Sequence, residues 1–329
     1  MVSSKKESHQ KVVVIIRYVL AITIISLMGV ASMMLDDKAV IYPPAAAMLL
    51  GLIIKERQPW HVSPWNIPVL LTLSALVGII LAARLEAYPV TALSLGFLFT
   101  GALLLITEAT LFPTLATCLL PIMLHNTSWT YPASVLMLST LTILISTLIT
   151  REGWRQTDIP SFHITRRISM GKVRHWLLMW ISMLPLLIAA QQLHKNALIA
   201  PPLIVVLVSL CQPDDRKHRH PRRVLATIFL SSCSGAFCRM ALLDGLSMPL
   251  YIVMPFAMAL SLMVMNHMRL IMPPIAALSL LPFALSGNVL LFPLLVSAGA
   301  AYLLLCTRTE VRKFVIHRMA LVWQTEPWK

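Results

Sequence analysis

The sequence predicts an all-α, polytopic membrane protein, with about 12 membrane segments arranged as two parallel six-segment repeats. Three observations lead there. Over 329 residues the chain is 58% hydrophobic and 12% charged, with mean hydropathy +0.79. That is more apolar surface than a water-soluble core can hide, so lipid is the expected solvent. The apolar runs are broken by charges and turn residues into spans of helical length. Finally, prolines and glycines recur at a nearly constant distance along the two halves.

In chain order the first half holds apolar segments near 12–35, 39–54, 66–83, 88–107, 111–124 and 131–150. The second holds them near 173–192, 197–211, 223–243, 249–265, 271–285 and 289–306. The N-terminal K-K-E-S-H-Q-K before an apolar run has the look of a signal peptide, but 12–35 is long enough to span and is read as the first membrane helix. Pro43 and Pro44 recur as Pro201 and Pro202, Pro64 as Pro221, Gly78 as Gly235, Pro89 as Pro249, Pro113 as Pro274, Pro121 as Pro282 and Pro132 as Pro293. The offset stays between 157 and 161 residues. One duplicated unit accounts for this register, giving a first membrane repeat over 1–150, a basic cytoplasmic linker over 151–172, a second repeat over 173–307 and a tail over 308–329.

The net charge of +14 flanks apolar spans, so it is read as topology and not as a nucleic-acid surface. If every segment crosses once from a cytoplasmic N-terminus, only Lys38, Arg84, Lys195 and Arg239 of the 27 lysines and arginines fall outside. Both termini are therefore expected inside a cell (plasma or inner) membrane. The run from Pro213 to Arg223, P-D-D-R-K-H-R-H-P-R-R, is read as a cytoplasmic loop touching anionic headgroups; His218 and His220 lack a carboxylate or thiolate to complete a metal site. In the tail, Val311, Phe314, Val315, Met319 and Val322 share a helical face, with Trp323 and Trp328 as interfacial anchors. Cys118, Cys211, Cys233, Cys238 and Cys306 lie in or beside apolar runs without metal spacing and are read as buried free thiols.

No nucleophile elbow, zinc-protease helix, phosphate-cradling loop or paired intramembrane carboxylate appears, so no enzyme activity and no cofactor is expected. The candidate site is instead the stretch R-L-I-M-P-P-I-A-A-L-S-L-L-P from Arg269 to Pro282 and its echo E-A-T-L-F-P-T-L-A-T-C-L-L-P from Glu108 to Pro121. Glu108 falls on the position of Arg269. A proline inside a membrane helix frees the carbonyl four residues earlier, which is tolerated only against protein or a water-filled cavity. Breaks at Pro44, Pro113, Pro202 and the Pro273-Pro274 pair begin the second, fifth, eighth and eleventh segments. Their amide-rich N-termini, with Arg269, Asn266 and His267, would suit an anion at a shared centre. The bland readings are packing for each proline and headgroup contact for Glu108 and Arg269, both at segment ends.

The pattern M-P-P-I-A-A-L-S-L-L-P followed by L-L-F-P-L-L-V-S-A-G-A-A-Y-L-L-L resembles the HPP family of integral membrane proteins. So do A-P-P-L-I-V-V-L-V-S-L-C-Q-P, R-R-V-L-A-T and S-G-A before it. Met272 stands where that family's signature has histidine, and the first half carries Leu111-Phe112-Pro113 with one proline. The resemblance implies tandem HPP-like units and carriage of a small anion such as nitrite. A further similarity, to aromatic acid exporter-like membrane domains, rests on the 213–223 loop and implies export of aromatic or other organic acids. The expected function is therefore a transporter or channel for a small solute, an anion by preference, with a noncatalytic membrane scaffold or accessory subunit as the rival. Expected partners are the solute and membrane lipids, anionic headgroups at the cytoplasmic face among them. No nucleic acid is expected, and homo-oligomerisation is left open.

Overall fold

Proline and the left-handed backbone punctuate this chain. The computed structural model describes residues 2–155, 169–211 and 220–307. Twelve α-helices, and no strand, occur among the described residues. They are α1 Val2–Met34, α2 Pro44–Leu49, α3 Asn66–Arg84, α4 Pro89–Ile106, α5 Pro113–Leu124 and α6 Thr130–Arg151, then α7 Met170–Gln192, α8 Pro201–Leu210, α9 Pro221–Phe237, α10 Leu250–His267, α11 Pro273–Ala284 and α12 Phe292–Cys306. Each predicted segment holds one of them. Seven helices carry proline at their first or second position, where its missing N–H costs nothing. Asp36, Glu108, His125, His194, Ser247 and Arg269 adopt positive φ at helix ends or turns, the conformation that stops a helix. Two helices run on as π-helix: α2 over Leu50–Ile54 and α9 over Cys238–Gly245.

Among the described residues, seven helices are long and apolar enough to cross a membrane: Val12–Met34, Asn66–Arg84, Pro89–Ile106, Thr130–Arg151, Met170–Gln192, Pro221–Gly245 and Leu250–His267. This is a helical, multi-pass membrane protein. The outward faces of these helices carry large apolar side chains, such as Val69 and Ile80 on α3, Met137 and Leu148 on α6, and Met263 on α10, as lipid contact requires.

The shorter helices α2, α5, α8 and α11 behave differently. Every residue of α2 and α11 is buried, as is all of α5 from Pro113 to Met123 and all of α8 except Ser209. A helix of 12 residues is about 18 Å long, well short of the roughly 30 Å hydrocarbon layer. Backbone outside the α-helices makes up part of the deficit: Ala39–Tyr42, Leu111–Phe112, Leu198–Ala200 and Met272 are buried lead-ins to these four helices, the first and third partly 3-10. The four pack in a closed ring, α2 on α11, α11 on α8, α8 on α5 and α5 on α2, with no comparable contact across either diagonal. Eight longer helices surround the ring. α1 packs on α10 and α7 on α4; α3 packs on both α5 and α6, and α9 on both α11 and α12.

Glycines permit the closest backbone approaches, Gly299 of α12 against the Leu198 carbonyl among them. A Cβ on Gly78 of α3 would collide with the Cys118 carbonyl of α5, and one on Gly235 of α9 with the Ser279 carbonyl of α11. Only glycine lets these backbones touch.

The basic loop with His218, the amphipathic tail over 308–329 and most of the 151–172 linker lie outside the described residues.

Candidate functional site

The site is built from backbone carbonyls that prolines leave unpaired, and from what the chain brings to meet them. Pro121 cannot donate to the Thr117 carbonyl one turn earlier in α5. The Tyr131 hydroxyl, entering from α6, donates to that carbonyl at 2.8 Å. Thr117 Oγ1 donates to the Pro113 carbonyl at 2.9 Å, which leaves its lone pair for the Tyr42 hydroxyl at 2.5 Å. Tyr42 stands just before the double proline of α2 and meets Tyr131 edge-on, ring centroids 6.0 Å apart. A closed hydroxyl cluster thus ties α2, α5 and α6. In α10, Pro255 frees the Tyr251 carbonyl, and Ser26 Oγ of α1 donates to it at 2.7 Å.

Three buried arginines perform the same service at helix C-termini, where carbonyls lack partners and the helix dipole favours a cation. Arg17, inside the apolar run of α1, donates through Nε to the Ile53 carbonyl and through Nη2 to that of Ile54, both at 2.6 Å. Arg155 donates to the Lys55 and Gly51 carbonyls at 3.2 and 3.3 Å and to Ser146 Oγ at 2.9 Å. Burial and the neighbouring Arg17 charge pull the Arg155 guanidinium down to about 10. Arg239, in the π-helical end of α9, donates to the Pro282 carbonyl, to that of Leu285 at 2.6 Å and to that of Gly287 at 3.1 Å, closing the end of α11.

At the other edge, Asp37 caps the short 3-10 turn that leads into α2. Its Oδ1 accepts from Ala39 N at 2.7 Å, and its Oδ2 accepts from the Thr130 hydroxyl at 2.5 Å and the Ser128 hydroxyl at 3.4 Å. These bonds, Thr130 foremost, hold the carboxyl below its usual range against a smaller opposing effect of burial.

The predicted site residues divide into two groups. Pro44, Pro113, Pro202, Pro273 and Pro274 are all buried, and the ring brings their helices together. Glu108, Asn266, His267 and Arg269 stay at exposed helix ends. Glu108 lies 4.0 Å from Lys172 Nζ, and Asn266 Nδ2 donates to the Tyr18 hydroxyl at 3.2 Å. Glu108 and Arg269 share a backbone role, the left-handed residue after α4 and after α10, with φ of 50° and 49°. The helix N-termini differ from expectation in one respect. Their first amides are occupied by the lead-in backbone: Ala45 N on Tyr42 O at 3.0 Å, Thr114 N on Leu111 O at 3.1 Å, Leu203 N on Ala200 O at 2.8 Å and Ile275 N on Met272 O at 3.0 Å. Two clefts lie on the flanks of the ring, one among Pro89, Met123, Gln191 and Asn196, another among Val206, Ile228 and Leu303.

Sequence reasoning missed Arg17, Arg155, Arg239, Tyr42 and Tyr131. Arg17 and Arg239 had a readable signal, a cation inside a run long enough to span. Tyr42 and Tyr131 had one only in hindsight of the proline rule, since the freed carbonyl sits on a different helix from its donor.

Compared with protein-family models, curated proteins and solved structures, the chain matches none of them.

Proposed function

We propose that this protein carries a small solute, an anion by preference, across the membrane along the seam between two interlocked six-helix repeats. The observation that carries the reading is the exchange of neighbours across the chain. Where α1 packs on α10, its counterpart α7 packs on α4; where α2 packs on α11, α8 packs on α5. Gly78 against Cys118 and Gly235 against Ser279 fall at matching positions, as do the left-handed Asp36 and His194. Such pairing is what parallel repeats about an axis along the membrane normal would give, with the four short helices at that axis. Non-helical backbone within a membrane bundle is tolerated where it lines a path or is buried in protein, and here it leads into all four central helices.

On this reading the twelve helices form twelve membrane segments, counting the four short ones with their lead-ins, and both termini are cytoplasmic. The HPP-like pattern around Pro273 and Pro274 supports a nitrite-like anion. Complete burial of α11 favours the rival reading, a scaffold whose prolines serve packing alone. Uptake by purified protein in liposomes separates the two. Nitrite, nitrate, formate, chloride and benzoate would be screened with an imposed gradient, against empty liposomes. Protein-dependent entry of a small anion is expected. Preference for benzoate would move the reading to organic-acid export, and no entry of any solute would leave the scaffold.

A further inference from the structure

The charge of Arg239 is not used up by the carbonyls it caps. Its side chain is 10% exposed. Nη1 is spent on the Pro282 and Leu285 carbonyls and Nη2 gives one of its two N–H groups to that of Gly287, all three neutral acceptors, so Nε and the second N–H of Nη2 form the remaining fork. Nε faces the carboxylate of Asp244 at 3.7 Å, too far for a hydrogen bond but close enough for an ion pair. Asp244 itself is 56% exposed. A buried guanidinium therefore has a loosely held, replaceable counter-ion at the water-facing side of its fork. The equivalent end of α5 has no such arrangement: His125 turns left-handed, and Asn126 N closes the Pro121 carbonyl at 2.9 Å.

We infer that Arg239 forms an anion-binding site at the mouth of α11, in which Asp244 stands in for the ligand. The shape of the stand-in names the ligand class. A carboxylate is a planar, two-oxygen monoanion, and the guanidinium fork is matched to that geometry, so nitrite and formate fit where spherical chloride fits less well. Because the same guanidinium closes α11, an anion that displaces Asp244 also bears on how that helix end is held. This site rests on the anion reading proposed above, but it is a claim about binding and does not require flux.

Thermal unfolding of the full-length protein in detergent, at neutral pH and fixed ionic strength, tests it. Sodium nitrite, formate and chloride are titrated as stabilising ligands. Wild type should be stabilised by nitrite and formate at lower concentration than by chloride. Asp244→Asn, at an exposed position that leaves the carbonyl bonds intact, removes the competitor and should lower the half-saturating nitrite concentration about two- to fivefold. Arg239→Lys keeps the charge but loses the fork and should abolish the preference over chloride. If Arg239→Lys does not fold, the Asp244→Asn arm decides alone. An unchanged half-saturating concentration in Asp244→Asn, or equal response to chloride and nitrite in wild type, overturns the site. Nitrite uptake insensitive to Asp244→Asn would keep the carrier and remove this site, whereas binding with the stated shift but no uptake would keep the site and remove the carrier.

Discussion

The two halves of the molecule set six helices each in the same order and hold them together by different chemistry. Around α5, Tyr131 pairs the carbonyl freed by Pro121, Tyr42 joins Thr117, and Asp37 caps the lead-in to α2. At the matching positions around α11 stand Phe292, Leu278, Ala200 and Lys195. None of these side chains can make the corresponding bond, and the turn that begins after Lys195 has no side-chain cap. Around α11 the second half is closed by packing and by Arg239, and its tyrosine tie lies elsewhere, from Tyr302 of α12 to the Ser182 carbonyl of α7 at 3.1 Å. Backbone geometry is thus specified by proline, glycine and left-handed positions, which recur, while the polar ties are local additions that one half carries. A half with fewer such ties opens locally at lower cost, so α8 and α11 are the elements expected to move.

Substitution tests can break this contrast or sharpen it. The largest effect is expected where the halves are alike. Gly78→Val and Gly235→Val each drive a side chain into a neighbouring backbone carbonyl and should cost about 3 kcal/mol apiece in thermal unfolding. Markedly unequal costs would mean that the two interfaces are not equivalent. Next is Arg239→Met, which strips donors from three carbonyls at the end of α11 and should cost about 2 kcal/mol. His125→Ala, at the backbone-closed end of α5, should cost under about 1 kcal/mol by the same measurement.

A smaller effect is expected at the proline-freed carbonyls. Tyr131→Phe should destabilise by about 1 kcal/mol, since it orphans the Thr117 carbonyl. Phe292→Tyr offers the second half the tie it lacks; a gain of about 0.5 kcal/mol is expected if the hydroxyl reaches the Leu278 carbonyl. Loss in both would show that the hydroxyl of Tyr131 cannot be transplanted between halves. The smallest effect concerns pH. The Asp37 carboxyl titrates below its usual range when folded, so its contribution is full above the ordinary carboxylate pKa and is lost as pH falls through the lowered value. Wild type should lose more stability on acidification than Asp37→Asn, measured as the melting temperature across the acid range; parallel curves would remove Asp37 from the account.

Much of the fold was legible because its determinants are local. Apolar runs, prolines and charge placement mark all twelve described helices, and the prolines at 44, 113, 202 and 274 stand in the four that form the ring. The sequence-level site was legible only in that part. Asn266, His267, Glu108 and Arg269 looked functional because they are polar beside a break, yet a helix end needs a residue in the left-handed region there, and Glu108 and Arg269 supply it. What escaped detection was pairing at a distance. Arg17 meets the Ile53 carbonyl and Arg239 the Pro282 carbonyl through approaches between separate helices, and no spacing along the chain encodes which carbonyl a guanidinium will reach.

The brevity of the four central helices bears on how the protein is made. Segments of 10 to 12 residues such as α8, α5 and α11 are too short for insertion machinery to release into lipid one at a time, and their lead-ins would arrive with naked peptide groups. α5 finds its place against α3 and α4, and α11 against α9 and α10, long helices that precede each of them in the chain. Biogenesis becomes a two-step affair in which long helices insert first and short ones are drawn in afterwards.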